Sequence, residues 1–306
     1  MSTAPAAPLP ERTTAPAGID GRALARRRLV LWLAPPMLWF TAFMLVPYAI
    51  MFYYSLGTMD YVDFVPGFSA DNYVKALTAE PYPDVLIKST VNGLLTALLS
   101  SAVAFPLALW MAFGLASPRR RALVSILVVL PWWASYLVKV YAWKTILGAE
   151  GVLNTALVTA GLVDEPLSVL LYNRFAVVLT LTYIFTPFAV LSIYAQLERI
   201  PRSLLEAARN LGATDGEIFR KIILPVSVPG ILAGAVITFS LGFGDFVTPS
   251  LVGGPDDLMI TNLVVNLLGV SMDRPLASAI GVVIIAFSVL LLIGANAAER
   301  RTQVRF

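Results

Sequence analysis

Apolar residues run through this chain in long blocks separated by short polar stretches, at approximately 29–55, 85–115, 122–143, 175–197, 226–248 and 276–297. Each block supplies the ~20 residues with which a helix crosses ~30 Å of hydrocarbon. A closed β-barrel also satisfies backbone groups in lipid, but it shows short alternating segments in place of continuous runs. The pattern therefore predicts an all-α integral membrane protein with six transmembrane helices. Residues 1–28 lack apolar periodicity, are rich in Ala, Pro and Thr, and close on Arg26, Arg27 and Arg28. They read as a disordered cytoplasmic tail. The run Leu29 to Ser55 is too long for a signal peptide and has no small-residue cleavage pattern behind it, so it is expected to stay as an anchor. The membrane domain is placed at 29–300, with 301–306 as a second cytoplasmic tail.

Charge orients these helices. Most of the 22 basic residues fall in four places: the N-terminal tail, Arg119 to Arg121, the loop 198–225, and Arg300, Arg301 and Arg305. With an even number of spans these places share one side, which the distribution of Lys and Arg marks as cytoplasmic, together with both termini. Acidic residues gather on the other side, among them Asp60, Asp63, Asp71, Glu80, Asp84, Asp256, Asp257 and Asp273. Either a cationic solute or simple solvation of short loops accounts for them.

Composition narrows the chemistry. Hydrophobic residues make up 58% of the chain and charged ones 13%, with a mean hydropathy of +0.78. Cys and His are absent, which removes thiol catalysis, disulfides, Cys/His metal sites and Ser-His-Asp triads. No catalytic residue, metal or cofactor is expected. The net charge of +3 reports topology before it reports nucleic acid, so no nucleic-acid partner is expected.

The most polar continuous run between two blocks is Glu206 to Pro225, EAARNLGATDGEIFRKIILP. Pro201 suits the first turn of a helix through Ser203 to Leu211, with Leu204, Leu205, Ala208 and Leu211 on one face. Gly212 can take the positive φ that ends such a helix, and Thr214 with Glu217 forms a capping box for a second one. That helix carries Ile218, Phe219, Ile222 and Ile223 and is expected to end at Pro225. A hairpin lying on lipid headgroups and a knob docked in a groove of a cytoplasmic protein both fit these residues.

The spacing E-A-A, three residues, G, nine residues, I-x-L-P is complete in Glu206, Ala207, Ala208, Gly212, Ile222, Leu224 and Pro225. It resembles the EAA loop of the membrane subunits of binding-protein-dependent ABC importers. The resemblance implies a type I importer fold in which this loop between helices 4 and 5 is the coupling helix seated in a cleft of the ATPase. It also implies a second homologous permease, an ATP-binding cassette ATPase dimer and an external substrate-binding protein as partners, in a bacterial inner membrane. Two further stretches, LPWWASYLVKVYAWKTILGAEGVLN and GFGDFVTPSLVGGP, resemble spermidine/putrescine permeases of the PotB type. The solute so implied is a small cation, with other amines, opines or amino-acid-like compounds as alternatives. None of the five lysines lies in a GxxxxGK[ST] loop, so ATP hydrolysis is expected on another polypeptide and this chain is not an enzyme.

Candidates for the solute pathway follow from depth and residue type. Asp245 lies near the outer end of the fifth block, beside Gly242 and Gly244, which can break the helix and hold the carboxylate deeper. Trp132, Trp133, Tyr136, Tyr141 and Trp143 crowd the third block; an interfacial aromatic belt and a cation-π lining both account for them. Tyr183 and Phe185, next to a kink expected at Pro187, are further candidates. Lys88, Lys139 and Lys144 read as snorkelling to headgroups. A rival reading from another class is an ion-coupled secondary transporter using Asp245 and Lys139, although no internal repeat supports it. The Gly and Ala of PGILAGAVITF suggest close packing against a second permease.

Overall fold

In the computed structural model, residues 21–61 and 63–302 are described, with the side chains of 26–61 and 63–294. Contacts divide the chain into two units, 1–51 and 52–306. Helix α1 (Gly21–Ser55) accounts for the described part of the first unit and is exposed along nearly its whole length from Arg26. It tolerates Pro35, Pro36 and Pro47, as membrane helices do. Gly21 to Arg28, expected in the disordered tail, are the first turns of this helix: Ala, Leu and Arg are good helix formers and extend it outward. Residues 1–20 of that tail and 303–306 of the second lie outside the described residues.

In the second unit a short antiparallel hairpin, β1 (Thr58–Asp60) and β2 (Asp63–Val65), is followed by α2 (Asp71–Thr78). Buried Asn72 fixes this corner by donating to the carbonyls of Ser55 at 3.0 Å and Gly57 at 2.7 Å. Helix α3 (Tyr82–Leu109) runs on through a π turn at Trp110–Gly114. Then come α4 (Pro118–Val129), α5 (Tyr136–Leu147), α6 (Val152–Thr159) and α7 (Arg174–Leu197). The loop carries α8 (Arg202–Asn210) and α9 (Asp215–Ile218), and the chain continues with α10 (Leu224–Phe243), α11 (Val247–Val252), α12 (Ile260–Gly269) and α13 (Arg274–Thr302).

Among the described residues five helices are long and apolar enough to cross a membrane, and a bent pair brings the number to six if it counts as one span. That pair is the third apolar block. Instead of one helix over 122–143, Pro118–Trp133 and Tyr136–Thr159 meet at 90°. The break falls at Leu130–Trp133, a 3₁₀ turn containing Pro131, and at extended Ala134. Pro131 donates no hydrogen bond to the α4 ladder, and Ser135 starts a new helix at its N-cap.

Helices α3, α7 and α10 pack on one another and form the centre of the second unit. Small residues permit the close approach. A Cβ on Gly234 would stand 3.0 Å from the Ala189 Cα of α7, and one on Gly230 would stand 2.8 Å from the Ser192 carbonyl. The small residues of PGILAGAVITF thus pack in part on α7 of the same chain, where the sequence suggested a second permease. Around this centre lie three apolar clusters, one of which joins α3 and α7 to the loop.

Candidate functional site

The loop folds as a capped elbow. Helix α8 begins after Pro201 and ends in a Schellman motif: Gly212 has φ +86°, its N–H donates to Arg209 O at 2.9 Å, and Ala213 N–H donates to Ala208 O at 3.0 Å. Thr214 Oγ1 accepts from Glu217 N at 3.3 Å while a Glu217 carboxylate oxygen accepts from Thr214 N at 3.1 Å, which completes the capping box. Arg209 pairs with Asp215 across the elbow at 3.1 Å. Lys221 pairs with Glu217 at 2.9 Å. Both ion pairs are exposed and add little stability of their own.

One face of this elbow is glued to the bundle. Leu205 and Ile218 are buried, and Ala208, Ile222 and Ile223 half-buried, in a cluster with Ala108, Met111 and Ala112 from α3 and its π turn and with Ile193 and Leu197 of α7. The other face is free: Glu206 and Ala207 are exposed, and so are Leu204 and Leu211. Leu211, expected on the packed face, is 89% exposed because the helix ends there and the chain turns away. Leu224 is exposed at the base of the loop.

Pro225 does not end the second loop helix. The helix runs unbroken from Asp215 to Phe243 through a π turn at Phe219–Ile223, in which Leu224 N–H donates to Phe219 O. Pro225 lacks an N–H, and the wider i→i+5 turn just before it accommodates the missing donor without a break. The loop is therefore one piece with the span that follows it.

The second candidate site is built at another break. Helix α10 ends at Phe243, short of the expected residue 248, and Asp245 sits in the turn before α11. Its Oδ1 accepts from the Tyr136 hydroxyl at 2.8 Å, and its Oδ2 accepts from Thr248 N–H at 2.8 Å. The Thr248 hydroxyl lies 2.8 Å from that of Tyr136. Asp245 thus pins the start of α5 to the start of α11. The Lys139 ammonium stands 5.9 Å from the centre of the Tyr136 ring, and Phe185 stacks on the same ring at 6.4 Å.

The remaining aromatic candidates separate. Trp132 is half-buried and lies 4.1 Å from Phe188, a continuation of the Tyr136–Phe185 stack through the Phe185–Phe188 contact. Trp133 is 88% exposed and Tyr141 is exposed, as interfacial side chains are. Tyr183 meets Trp143 edge-on at 5.2 Å at the rim of an apolar cavity of about 380 Å³ lined also by Leu127, Pro131, Thr182 and Pro187. Asp245 and Tyr136 come together, and Trp132 is linked to them through Phe188 and Phe185; Trp133 and Tyr141 are exposed.

Residues that sequence reasoning missed hold this region in place. Buried Asn262 donates to Phe246 O at 2.8 Å and to Ser250 Oγ at 2.7 Å, and accepts from Met259 N–H at 3.0 Å. Ser89 Oγ accepts from Ile260 N–H at 2.7 Å, and Asn92 accepts from Arg174 Nε at 2.7 Å. The signal was present: an amide inside an apolar run needs partners or it would not be there.

A bundle of long apolar helices, carrying at one end a rigid elbow with a packed face and a free face, defines a multi-pass membrane transport subunit. The chain belongs to the family described as binding-protein-dependent transport system inner membrane component, whose model matches residues 87–304, and is a permease subunit of that kind. It is 35% identical to the inner membrane ABC transporter permease protein YdcU of Escherichia coli (strain K12), over 86% of this chain and 87% of that protein. It is 31% identical to the spermidine/putrescine transport system permease protein PotB of Haemophilus influenzae, over 83% and 88%. Among solved structures it resembles a chain of a bacterial ABC transporter importing the acidic polysaccharide alginate, with a TM-score of 0.71 at 23% identity over 92% of this chain and 98% of that one. A chain of the methionine transporter MetNI matches with a TM-score of 0.54 at 18% identity over 74% and 100%. At these identities the structures speak for the fold alone.

Proposed function

We propose that this chain forms half of the transmembrane pathway of an ATP-driven importer for a small amine-bearing solute of the polyamine class, and that its 198–225 loop seats the ATPase. The observation that carries the coupling role is the complete EAA spacing folded on a capped elbow, with Glu206 and Ala207 outward and Leu205 and Ile218 locked into α3 and α7. A push on the free face moves a helix that is continuous with α10. The solute class rests on the relatives named for spermidine/putrescine transport. A second permease completes the path; the chain is also 32% identical over 114 residues to the permease protein PotC of Escherichia coli. An ATPase dimer inside, a binding protein outside, cytoplasmic termini and an inner-membrane location complete the proposal.

A second reading has one observation of its own. Both oxygens of Asp245 are engaged within the chain, and Lys139 faces the Tyr136 ring that would otherwise receive an ammonium. That arrangement favours a solute bearing a carboxylate as well as an amine. Uptake by the reconstituted complex, measured for spermidine, putrescine, amino acids and opines, tests both. Saturable, ATP-dependent uptake of a polyamine is expected; uptake of carboxylate-bearing amines alone sinks the first reading, and gradient-driven uptake without the ATPase sinks both.

A further inference from the structure

At the cytoplasmic end of the bundle two arginines from different elements converge on one carbonyl. Arg121 of α4 donates from Nε to Leu115 O at 2.9 Å. Arg202 of α8 donates from Nη2 to the same oxygen at 3.1 Å and to Ala112 O at 3.5 Å. These carbonyls close α3 and its π turn, where a helix end carries partial negative charge. Sharing one acceptor holds the two bonded nitrogens within about 6 Å of each other. Two like charges so placed repel unless an anion lies between them.

Space for that anion exists. A cavity of about 440 Å³ is lined by Arg121, Arg202, Glu198, Phe113, Ala116 and Pro201, among others. Glu198, the acidic residue among them, accepts the Tyr194 hydroxyl at 3.0 Å and offsets one of the two guanidinium charges, which leaves the cavity wall with one positive charge in excess. Among the described residues Arg121 Nη1 and Nη2 and Arg202 Nε and Nη1 have no protein partner, so both forks present donors to the cavity. Such forks match the oxygens of a phosphate in a bidentate manner. Arg119 and Arg120 are exposed alongside and add to the positive field. The cavity lies where α3 ends, α4 begins and α7 gives way to α8, beyond the ends of two apolar helices, where basic pockets receive lipid headgroups.

We infer that this cavity binds the phosphodiester headgroup of an anionic phospholipid, which staples the loop to the cytoplasmic ends of α3 and α4. The headgroup neutralises Arg121 and Arg202 together, and the elbow then moves with the spans. Without it the two guanidinium groups repel, and the start of α8 keeps only its carbonyl bonds and the packing of Leu205.

The test uses the full complex of permeases, ATPase and binding protein in nanodiscs of phosphatidylcholine, with and without on the order of 20 mol% phosphatidylglycerol. Phosphatidylglycerol is expected to raise solute-dependent ATP hydrolysis several-fold in the parent complex, and native mass spectrometry to show it retained. Arg121→Gln is expected to abolish both the stimulation and the retained lipid, and Arg121→Lys to restore part of each. Ala116→Asp leaves both arginines in place but sets a negative charge in the cavity wall, and is expected to abolish the stimulation as well. Equal stimulation of the parent complex and Ala116→Asp, or an equal effect of inorganic phosphate in phosphatidylcholine discs, overturns the assignment.

Discussion

Asp245 stood out in the sequence as an acidic residue near the end of an apolar block, but what its carboxylate does was not legible there. Both oxygens hold partners within the chain, Tyr136 on one and the Thr248 amide on the other. Hydrogen bonds to a charged group contribute about 1.5–3 kcal/mol each. Asp245→Asn and Tyr136→Phe are therefore each expected to destabilise the purified permease by about 1–3 kcal/mol, and the double variant by less than the sum. Thermal unfolding in detergent measures this. If Asp245→Asn melts like the parent and only its uptake falls, the carboxylate serves the solute and not the fold.

At the scale of elements the loop is the best-specified part of the chain, because each of its signals is local. Gly212 sits at φ +86° with open space around its Cβ position, so a side chain there meets backbone strain and no clash. Gly212→Ala is expected to cost about 1–2 kcal/mol, and Thr214→Ala about 1 kcal/mol through the lost cap. Both should leave the chain inserted while ATP hydrolysis loses its link to uptake, which parallel hydrolysis and transport assays detect. Pro225 makes a sharper case. Pro225→Ala returns an N–H to the helix and removes the reason for the π turn; relaxation to α geometry would rotate α9 against α10 by ~100°, the angle per residue of an α-helix. Uptake is expected to fall although α10 stays intact, and cross-linking between cysteines placed in α9 and α3 would report the rotation.

For the whole molecule, the three-helix centre of α3, α7 and α10 depends on close approach at Gly230 and Gly234. Gly234→Leu forces several heavy atoms into the space against Ala189 and is expected to destabilise by more than the ~1–3 kcal/mol typical of overpacking. Loss of assembled permease on size-exclusion chromatography, with normal membrane insertion, is the expected readout. An unchanged elution profile and melting point would place the α7–α10 contact outside what holds the unit together.

The sequence by itself determined what rests on local physics. Among the described residues apolar block length marked five helices long enough to span, while the third block broke at Pro131 into a bent pair and α10 stopped short at Phe243. Cap chemistry marked the elbow at Gly212 and Thr214, since each of its bonds joins residues no more than five apart. The run of helical residues back to Gly21 and the passage of Pro225 through a π turn escaped, because proline and arginine each suit more than one local geometry. Tertiary structure alone decided the rest. Tyr136 meets Asp245 across 109 positions, and Arg202 meets Leu115 across 87. No periodicity encodes such pairs; they exist because the spans stack side by side and bring distant ends to one level. Which polar groups are spent inside the chain, and which remain free for a solute, a lipid or an ATPase, is for that reason a property of the packed bundle.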